Sequence, residues 1–132
     1  MAARQGSIGV ENGNGQQSAG EGRRAERHAA VVGIEPSKRE EYLALHAAVW
    51  PQVEATLSAA GVTNYTIFVR GDVLVSYYEY VGDDHDAAMA QIAADPVTQE
   101  WWTRTDPCQV PLFADQPAGE RWAPFTEVWH LP

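Results

Sequence analysis

Apolar residues fall into short runs and alternations that predict a β-α-β-β-α-β order of elements. A continuous apolar run predicts a buried first strand, and alternating β-branched and aromatic residues predict two more strands. Gly71-Asp72 suits the two-residue turn of the hairpin that these two strands form. The strands are expected over 28–34, 62–70, 73–81 and 125–130.

Serine, proline and glycine mark the ends expected for the first helical region. Ser37 and Glu40 have the spacing of a capping box, after which Leu43 and Ala47 should face inward. Pro51 should interrupt this helix and begin the next one as a first-turn residue. The second helix should end at Gly61, because glycine readily adopts the left-handed conformation that closes a helix.

The second helical region is expected between the hairpin and the last strand. Acidic residues over 83–86 should open one helix, since negative charge is favourable at a helix N-terminus. Pro96 should start a further helix that carries Trp101 and Trp102. The resulting order predicts an α+β fold, the ferredoxin-like βαββαβ sandwich. Because large residues lie on both faces of the hairpin strands, we expect a second subunit to cover the outer sheet face, which gives a homodimer.

The first 27 residues differ from the rest in composition. They hold more than half of the eleven glycines and no aromatic residue, so they offer little apolar surface to bury. Ordering such a segment costs entropy without compensation. We therefore expect residues 1–27 to form a disordered low-complexity tail and residues 28–132 to form a single domain.

Net charge and cysteine content bear on the kinds of binding partner and on the cellular location. The formal net charge is −9, which argues against a nucleic-acid or anionic-membrane surface. The sequence has neither an apolar run long enough to span a bilayer nor a secretory signal, so no membrane partner is expected. The single cysteine, Cys108, cannot form an internal disulfide, which favours a cytoplasmic location.

Two groups of side chains are candidates for chemistry. Tyr42 and His46 are four residues apart on one predicted helix, so they share a face and could act in proton transfer. Trp101 and Trp102 could line a cleft with a flat indole face, although both groups are equally compatible with a structural role. The four histidines lack the spacing of a zinc site, and nucleotide-binding and nucleophile-elbow motifs are absent.

Four separated segments of the chain resemble the L-rhamnose mutarotase family, in order, from about residue 28 to the end. The segments are Glu40-Glu41-Tyr42-x-x-x-His46-x-x-x-Trp50-Pro51, Gly61-Val62-Thr63-Asn64-Tyr65-Thr66-Ile67, Asp95-x-x-x-Gln99-x-Trp101-Trp102 and Glu127-Val128-x-His130-Leu131. Four such blocks in one short chain are more specific than any one of them. The loop over 105–124 departs from the family pattern by its length and by Trp122.

The resemblance implies a dimeric α/β-barrel type of ferredoxin-like fold and an isomerase that interconverts the α and β anomers of a 6-deoxy sugar. It implies no cofactor and no metal. His46 would be the catalytic acid/base, Tyr42 and Tyr65 would contact the substrate, and Trp101 and Trp102 would form the sugar-binding wall. L-rhamnose is the expected sugar, and the divergent loop leaves L-fucose open.

Two other functions remain open from the sequence. A cofactor-free monooxygenase of the same dimeric type would also use His, Tyr and Trp in a small pocket, and oxygen uptake with a polyaromatic substrate would reveal it. A non-catalytic module that binds a small ligand would bind a sugar without accelerating anomer exchange. The polar Asn64 and Gln99 and the several tyrosines favour a sugar over a flat apolar substrate.

Overall fold

A computed structural model describes residues 25–132, so residues 1–24 of the tail expected over 1–27 lie outside this range. Glu26 and Arg27, which the sequence placed in the tail, belong to the first strand. The sheet strands are β1 (Glu26–Ile34), β2 (Val62–Arg70), β3 (Val73–Tyr80), β4 (Gln109–Val110) and β5 (Ala123–Pro124). The helices are α1 (Arg39–His46), α2 (Pro51–Ala59), α3 (His85–Ala93) and α4 (Pro96–Thr105), with 3-10 turns at Pro36–Lys38 and Asp106–Cys108. No helix in 25–132 is long and apolar enough to cross a membrane.

The sheet is antiparallel, with β1 at its centre. Its order is β2-β3-β1-β4, and β5 also pairs with β1. His28 lies opposite Tyr78, and Val32 lies opposite Leu74, so these side chains share one face of the sheet. The buried core lies on this face, where the helices pack. The predicted α+β, ferredoxin-like class is therefore confirmed.

Local sequence signals place most helix ends where they were expected. Gly61 has a φ of 100° directly after α2, a left-handed conformation that glycine adopts without steric cost. The Asp84 side chain accepts a hydrogen bond from the Ala87 N–H at 3.1 Å, which caps α3. The Asp95 side chain caps α4 in the same way through the Thr98 N–H at 2.8 Å.

The capping box predicted for the first helix is wrong. Pro36 begins a 3-10 turn, so Ser37 already lies inside helical structure, and no side chain caps α1. The Ser37 hydroxyl instead donates to the Glu35 carboxylate at 3.4 Å. The inward direction of the helix is also shifted, because Ala47 follows the end of α1 and is exposed, whereas Tyr42 is fully buried.

The last strand, predicted over 125–130, is also wrong. Pairing with β1 ends just after Pro124, where the Phe125 N–H donates to the Ala29 carbonyl oxygen at 2.9 Å. Beyond this point the chain forms no strand, and Val128 and Trp129 are 92% and 75% exposed. The alternation of apolar residues was real, but the segment contacts the start of β1 through the Arg27–Glu127 ion pair and adds no ladder pairs to it.

A β-bulge in β2 directs one tyrosine into the protein interior. Thr63 lies opposite Glu79 and Thr66 lies opposite Tyr77, so Asn64 and Tyr65 together face the single residue Tyr78. Asn64 has a φ of 50°, and its side chain donates to the Glu79 carboxylate at 3.0 Å. One extra residue reverses the alternation of side chains, which brings Tyr65 to the same face as Tyr78.

Replacing Asn64 with valine is expected to lower the free energy of unfolding by about 1–2 kcal/mol, because a β-branched residue strongly disfavours the left-handed conformation. Replacing Asn64 with glycine should cost less, since only the hydrogen bond to Glu79 is lost. Urea denaturation of the two variants measures both values. Equal losses in the two variants would show that the backbone conformation at the bulge carries no cost.

Candidate active site

A cavity of about 340 Å³ lies between the sheet and the helices. This volume suits one small ligand. All five residues predicted to form the site line it: Tyr42, His46, Tyr65, Trp101 and Trp102. They come from α1, from the bulged strand β2 and from α4, so the fold brings together residues that are as much as 60 positions apart in the sequence.

The orientation of His46 is fixed by its own helix. Its Nδ1 lies 3.1 Å from the Tyr42 carbonyl oxygen, one helical turn earlier. A carbonyl only accepts hydrogen bonds, so Nδ1 carries the proton of the neutral ring, and Nε2 has a free lone pair. The imidazole stacks on the Tyr42 ring, with centroids 4.2 Å apart, and meets the Trp101 indole edge-on at 5.3 Å. The ring is therefore held on three sides.

Burial lowers the pKa of His46 below 6.5, and the hydrogen bond to the Tyr42 carbonyl oxygen only partly opposes this. The imidazole is therefore neutral at pH 7. A neutral imidazole with a free Nε2 can accept a proton and return it. This is the geometry of a general base.

The two site tyrosines stay protonated at neutral pH. Burial raises the pKa of Tyr65 to about 12, and burial likewise raises the pKa of Tyr42 well above its usual range. A protonated hydroxyl both donates and accepts hydrogen bonds. The pair can therefore contact an oxygen-rich ligand without adding charge.

Both predicted tryptophans are buried, and both line the cavity. Trp101 and Trp102 are each 5% exposed. Trp50 packs edge-on against Trp101 with a centroid distance of 5.1 Å, and the Arg104 guanidinium lies 5.3 Å from the centroid of Trp50. This layered packing leaves the Trp101 indole little freedom to move, so the aromatic wall is preformed.

The sequence did not single out the polar end of the cavity. Thr105, at the end of α4, and Gln109, in β4, are both buried and both line the cavity. The Trp122 Nε1–H donates to Gln109 Oε1 at 3.2 Å. Trp122 was noted only because it lies in the divergent loop, and its 13-residue separation from Gln109 left no local signal.

A second group of titratable rings lies beside the cavity and was also missed. His28 stacks on His85 with a centroid distance of 4.3 Å, and the Tyr78 hydroxyl lies 2.7 Å from His85 Nε2. Tyr78 itself lines the cavity. Burial, and then the charge of His85, lower the pKa of His28. His85 was interpreted only as part of a helix start, because its partners come from β1 and β3.

No group of three or more His, Cys, Asp or Glu side chains within 25–132 is arranged to hold a metal ion. The titratable groups that line the cavity are His46, Glu54 and the tyrosines. What these residues can supply is proton transfer and hydrogen bonding to a neutral, hydroxyl-rich molecule.

The fold and the cavity define a small ferredoxin-like domain of the dimeric α/β-barrel type, with a cavity of the size of one small molecule. The chain belongs to the L-rhamnose mutarotase family, since the model of that family matches residues 27–131.

Several relatives support this membership. An L-rhamnose mutarotase of Rhizobium meliloti is 34% identical over 107 residues, which cover 80% of this chain and 98% of the relative. One from Listeria monocytogenes is 35% identical over 79 residues, or 58% of this chain and 73% of the relative.

Two solved structures share the fold. The L-rhamnose mutarotase of Formosa agariphila has a TM-score of 0.62 at 21% identity and covers 81% of this chain and 99% of its own. Tetracenomycin F2 cyclase of Streptomyces glaucescens, a type II polyketide cyclase, has a TM-score of 0.57 at 22% identity. The match covers 82% of this chain and 100% of the cyclase chain. At these identities the likeness concerns the fold alone.

Proposed function

We propose that this protein interconverts the α and β anomers of L-rhamnose, with His46 as the catalytic acid/base. One observation carries the proposal: a neutral imidazole, locked by the Tyr42 carbonyl, lines a small cavity together with protonated tyrosines and two indoles. Membership of the family supports the same activity. The test is the rate of anomer exchange with and without the protein, measured by NMR.

The reaction needs only proton transfers. His46 Nε2 takes the proton of the anomeric hydroxyl, the bond between C1 and the ring oxygen breaks, and the ring oxygen gains a proton. The open aldehyde rotates about C1–C2, and the hydroxyl group that holds the former ring oxygen attacks the other face of the carbonyl. That hydroxyl loses its proton, and the new anomeric oxygen gains one, so no proton is consumed. Positioned acid/base catalysis of this kind contributes about 10²–10⁴-fold.

The remaining site residues would bind and orient the sugar. Tyr42 and Tyr65, both protonated, would donate to or accept from its hydroxyl groups. Trp101 and Trp102 would cover the apolar face of the ring and the C6 methyl group. The divergent loop supplies Trp122 close to the cavity, so the preference between L-rhamnose and L-fucose depends on residues outside the four matching segments.

The pH dependence of exchange should report the pKa of His46. Because burial lowers this pKa from its ordinary value of 6.5, the protein-dependent rate should be at its plateau at pH 7.5, and the midpoint of its fall on acidification should lie below pH 6.5. At lower pH the rate should fall by up to about tenfold per pH unit as the imidazole is protonated. Glu54 and the tyrosines also line the cavity, so the profile of His46→Ala is the control that assigns this limb.

Exchange rates corrected for the uncatalysed reaction, measured from pH 5 to 8, give the profile. A midpoint above 6.5 would contradict a buried, neutral base. The same acid limb in His46→Ala would assign it to another group.

We also propose that two copies of the chain associate through the outer face of the sheet. This face carries Phe68, which is 59% exposed, and the C-terminal segment beside it exposes Trp129 and Val128. Arg27 pairs with Glu127 at 2.9 Å, which holds the start of that segment to β1. Apolar side chains this exposed are costly on a monomer, and a two-fold partner would cover them.

Replacing Phe68 with aspartate should convert the dimer to a monomer, because the new charge would have to be buried between the two sheets. Light scattering coupled to gel filtration should give twice the 14.5 kDa chain mass for the wild type and the chain mass for the variant. Gln91→Asp, on the exposed side of α3, is the matched control and should remain dimeric. A monomeric wild type would refute the proposed dimer.

The other functions weighed from the sequence are less well supported. A flat polyaromatic substrate would leave the buried amide and hydroxyl groups at the end of the cavity without partners. A pure binding module gives no reason for a histidine held in one tautomer inside the cavity. The single buried thiol of Cys108 suits a reducing compartment, and we propose a cytoplasmic location.

A further inference from the structure

Two buried polar atoms at the polar end of the cavity make no hydrogen bond of normal length and angle in the described part of the chain. They are Thr105 Oγ1 and Gln109 Nε2, on side chains that are 2% and 5% exposed. A buried donor or acceptor without a partner is costly, so native proteins keep few of them. Because both residues line the cavity, a molecule bound there can satisfy both atoms.

Trp122 determines which end of the Gln109 amide faces the cavity. An indole N–H can only donate, and it lies 3.2 Å from Gln109 Oε1, so the amide oxygen must be the atom that faces Trp122. The amide N–H₂ group is therefore left as a donor to the cavity. Trp122 is 0% exposed, which leaves its indole no room to turn away.

The chemistry of this end matches one neutral hydroxyl group. The Gln109 N–H₂ can donate to a hydroxyl oxygen, and the hydroxyl proton can then be donated to Thr105 Oγ1. No lysine or arginine is among the cavity-lining residues that the structure describes, so nothing there favours an anion. The Tyr42 hydroxyl is close by: burial raises its pKa, and a hydrogen bond from the Gln109 side chain partly opposes this effect. The amide nitrogen carries two N–H donors, so one can serve Tyr42 while the second serves the ligand.

We propose that Thr105 and Gln109 bind one of the non-anomeric hydroxyl groups of the sugar and so determine which sugar is accepted, with Trp122 as the positioning residue of Gln109. The inference rests on the proposed function in one respect, namely that the ligand is a sugar. A site built to hydrogen-bond a hydroxyl discriminates against analogues that lack it, because its own polar groups are then left unpaired. The competing explanation is a water molecule that fills this end permanently and never meets the substrate.

Thr105→Val tests the proposal with almost no change of shape. It should leave the melting temperature unchanged or higher, because a buried hydroxyl without a partner is removed. It should also weaken L-rhamnose binding by about 3- to 10-fold, the value of one neutral hydrogen bond. Binding is followed by tryptophan fluorescence or by ligand-observed NMR, so this readout does not depend on catalysis.

Ser76→Ala is the matched control. Ser76 Oγ is also buried without a partner, but the residue does not line the cavity. Its removal should affect the melting temperature in the same direction and leave sugar binding unchanged. The comparison distinguishes a hydroxyl that binds the ligand, as proposed for Thr105, from a buried hydroxyl that lacks a partner and does not contact the ligand, as expected for Ser76.

Deoxy sugars identify the hydroxyl and test the role of Trp122. Among the 2-, 3- and 4-deoxy analogues of L-rhamnose, one should bind the wild type and Thr105→Val equally well, because it lacks the group that Thr105 contacts. Gln109→Met should weaken L-rhamnose binding and should spare the same analogue. Trp122→Phe should weaken binding in the wild type but have no further effect in Gln109→Met, since its role is to orient the amide.

The outcomes separate this inference from the proposed function. Wild-type protein that exchanges anomers while Thr105→Val and Gln109→Met bind every sugar as the wild type does would overturn the inference alone and would assign this end to water. Wild-type protein that binds with the predicted discrimination but does not exchange anomers would overturn the proposed function and support the inference. A wild type that binds none of the sugars would overturn both.

Discussion

Replacing His46 with alanine is expected to reduce the protein-dependent rate of L-rhamnose anomer exchange by roughly 10²–10⁴-fold. The reason is that the imidazole is the only ring lining the cavity, among the residues described, that is neutral and basic near pH 7. Its Nδ1–H is already used by the Tyr42 carbonyl, so Nε2 is the atom that we propose as the proton acceptor. Saturation transfer between the anomeric protons measures the rate directly.

The controls for this variant concern folding and surface change. His46→Ala should keep the circular dichroism spectrum and oligomeric state of the wild type. Glu40→Gln, an exposed change one and a half turns earlier on the same helix, should keep the wild-type rate. A His46→Ala protein that exchanges anomers as fast as the wild type would remove this residue from the mechanism.

Replacing Trp101 with alanine is expected to lower the free energy of unfolding by about 3–5 kcal/mol. Its indole is 5% exposed and contacts both Trp50 and His46, so deletion leaves a large void and removes support from the His46 ring. Small domains are stable by only about 5–15 kcal/mol, so this is a large fraction of the total. Urea denaturation monitored by circular dichroism measures the loss.

Trp101→Phe separates the contribution of Trp101 to core packing from the contribution of its larger indole surface to sugar binding. It should lose less stability than Trp101→Ala, because a ring still fills most of the space, while sugar binding should weaken in both variants. A loss of stability below 1 kcal/mol in Trp101→Ala would show that the indole is not part of the core. Unchanged sugar binding in both variants would show that it is not part of the binding wall.

Much of the fold follows from local sequence signals. Gly61 and the two acidic helix caps act on residues within one turn, so their effect is visible in the sequence itself. The Gly71-Asp72 turn likewise joins β2 and β3, which are its immediate neighbours in the chain. The Tyr42 and His46 pair was found because residues four apart on a helix are neighbours.

The features that were missed depend on contacts between distant parts of the chain. The segment after Pro124 has the composition of a strand, but whether it pairs depends on its tertiary surroundings and not on composition alone. The pairing of Gln109 with Trp122, and of His85 with His28, brings separate elements together, and no spacing rule predicts either contact. The capping box failed because helical structure begins at Pro36, two residues earlier than a Ser37 N-cap requires.

The proposed activity is an acceleration of L-rhamnose anomer exchange by the protein itself, at the His46 site. The most direct test is saturation transfer between the α and β anomeric protons at pH 7, without protein, with the wild type and with His46→Ala, and then again with L-fucose. Saturation transfer is expected with the wild type only, and the sugar with the faster exchange is the preferred substrate. Equal transfer in all three samples for both sugars, from folded wild-type protein, would contradict the proposed activity.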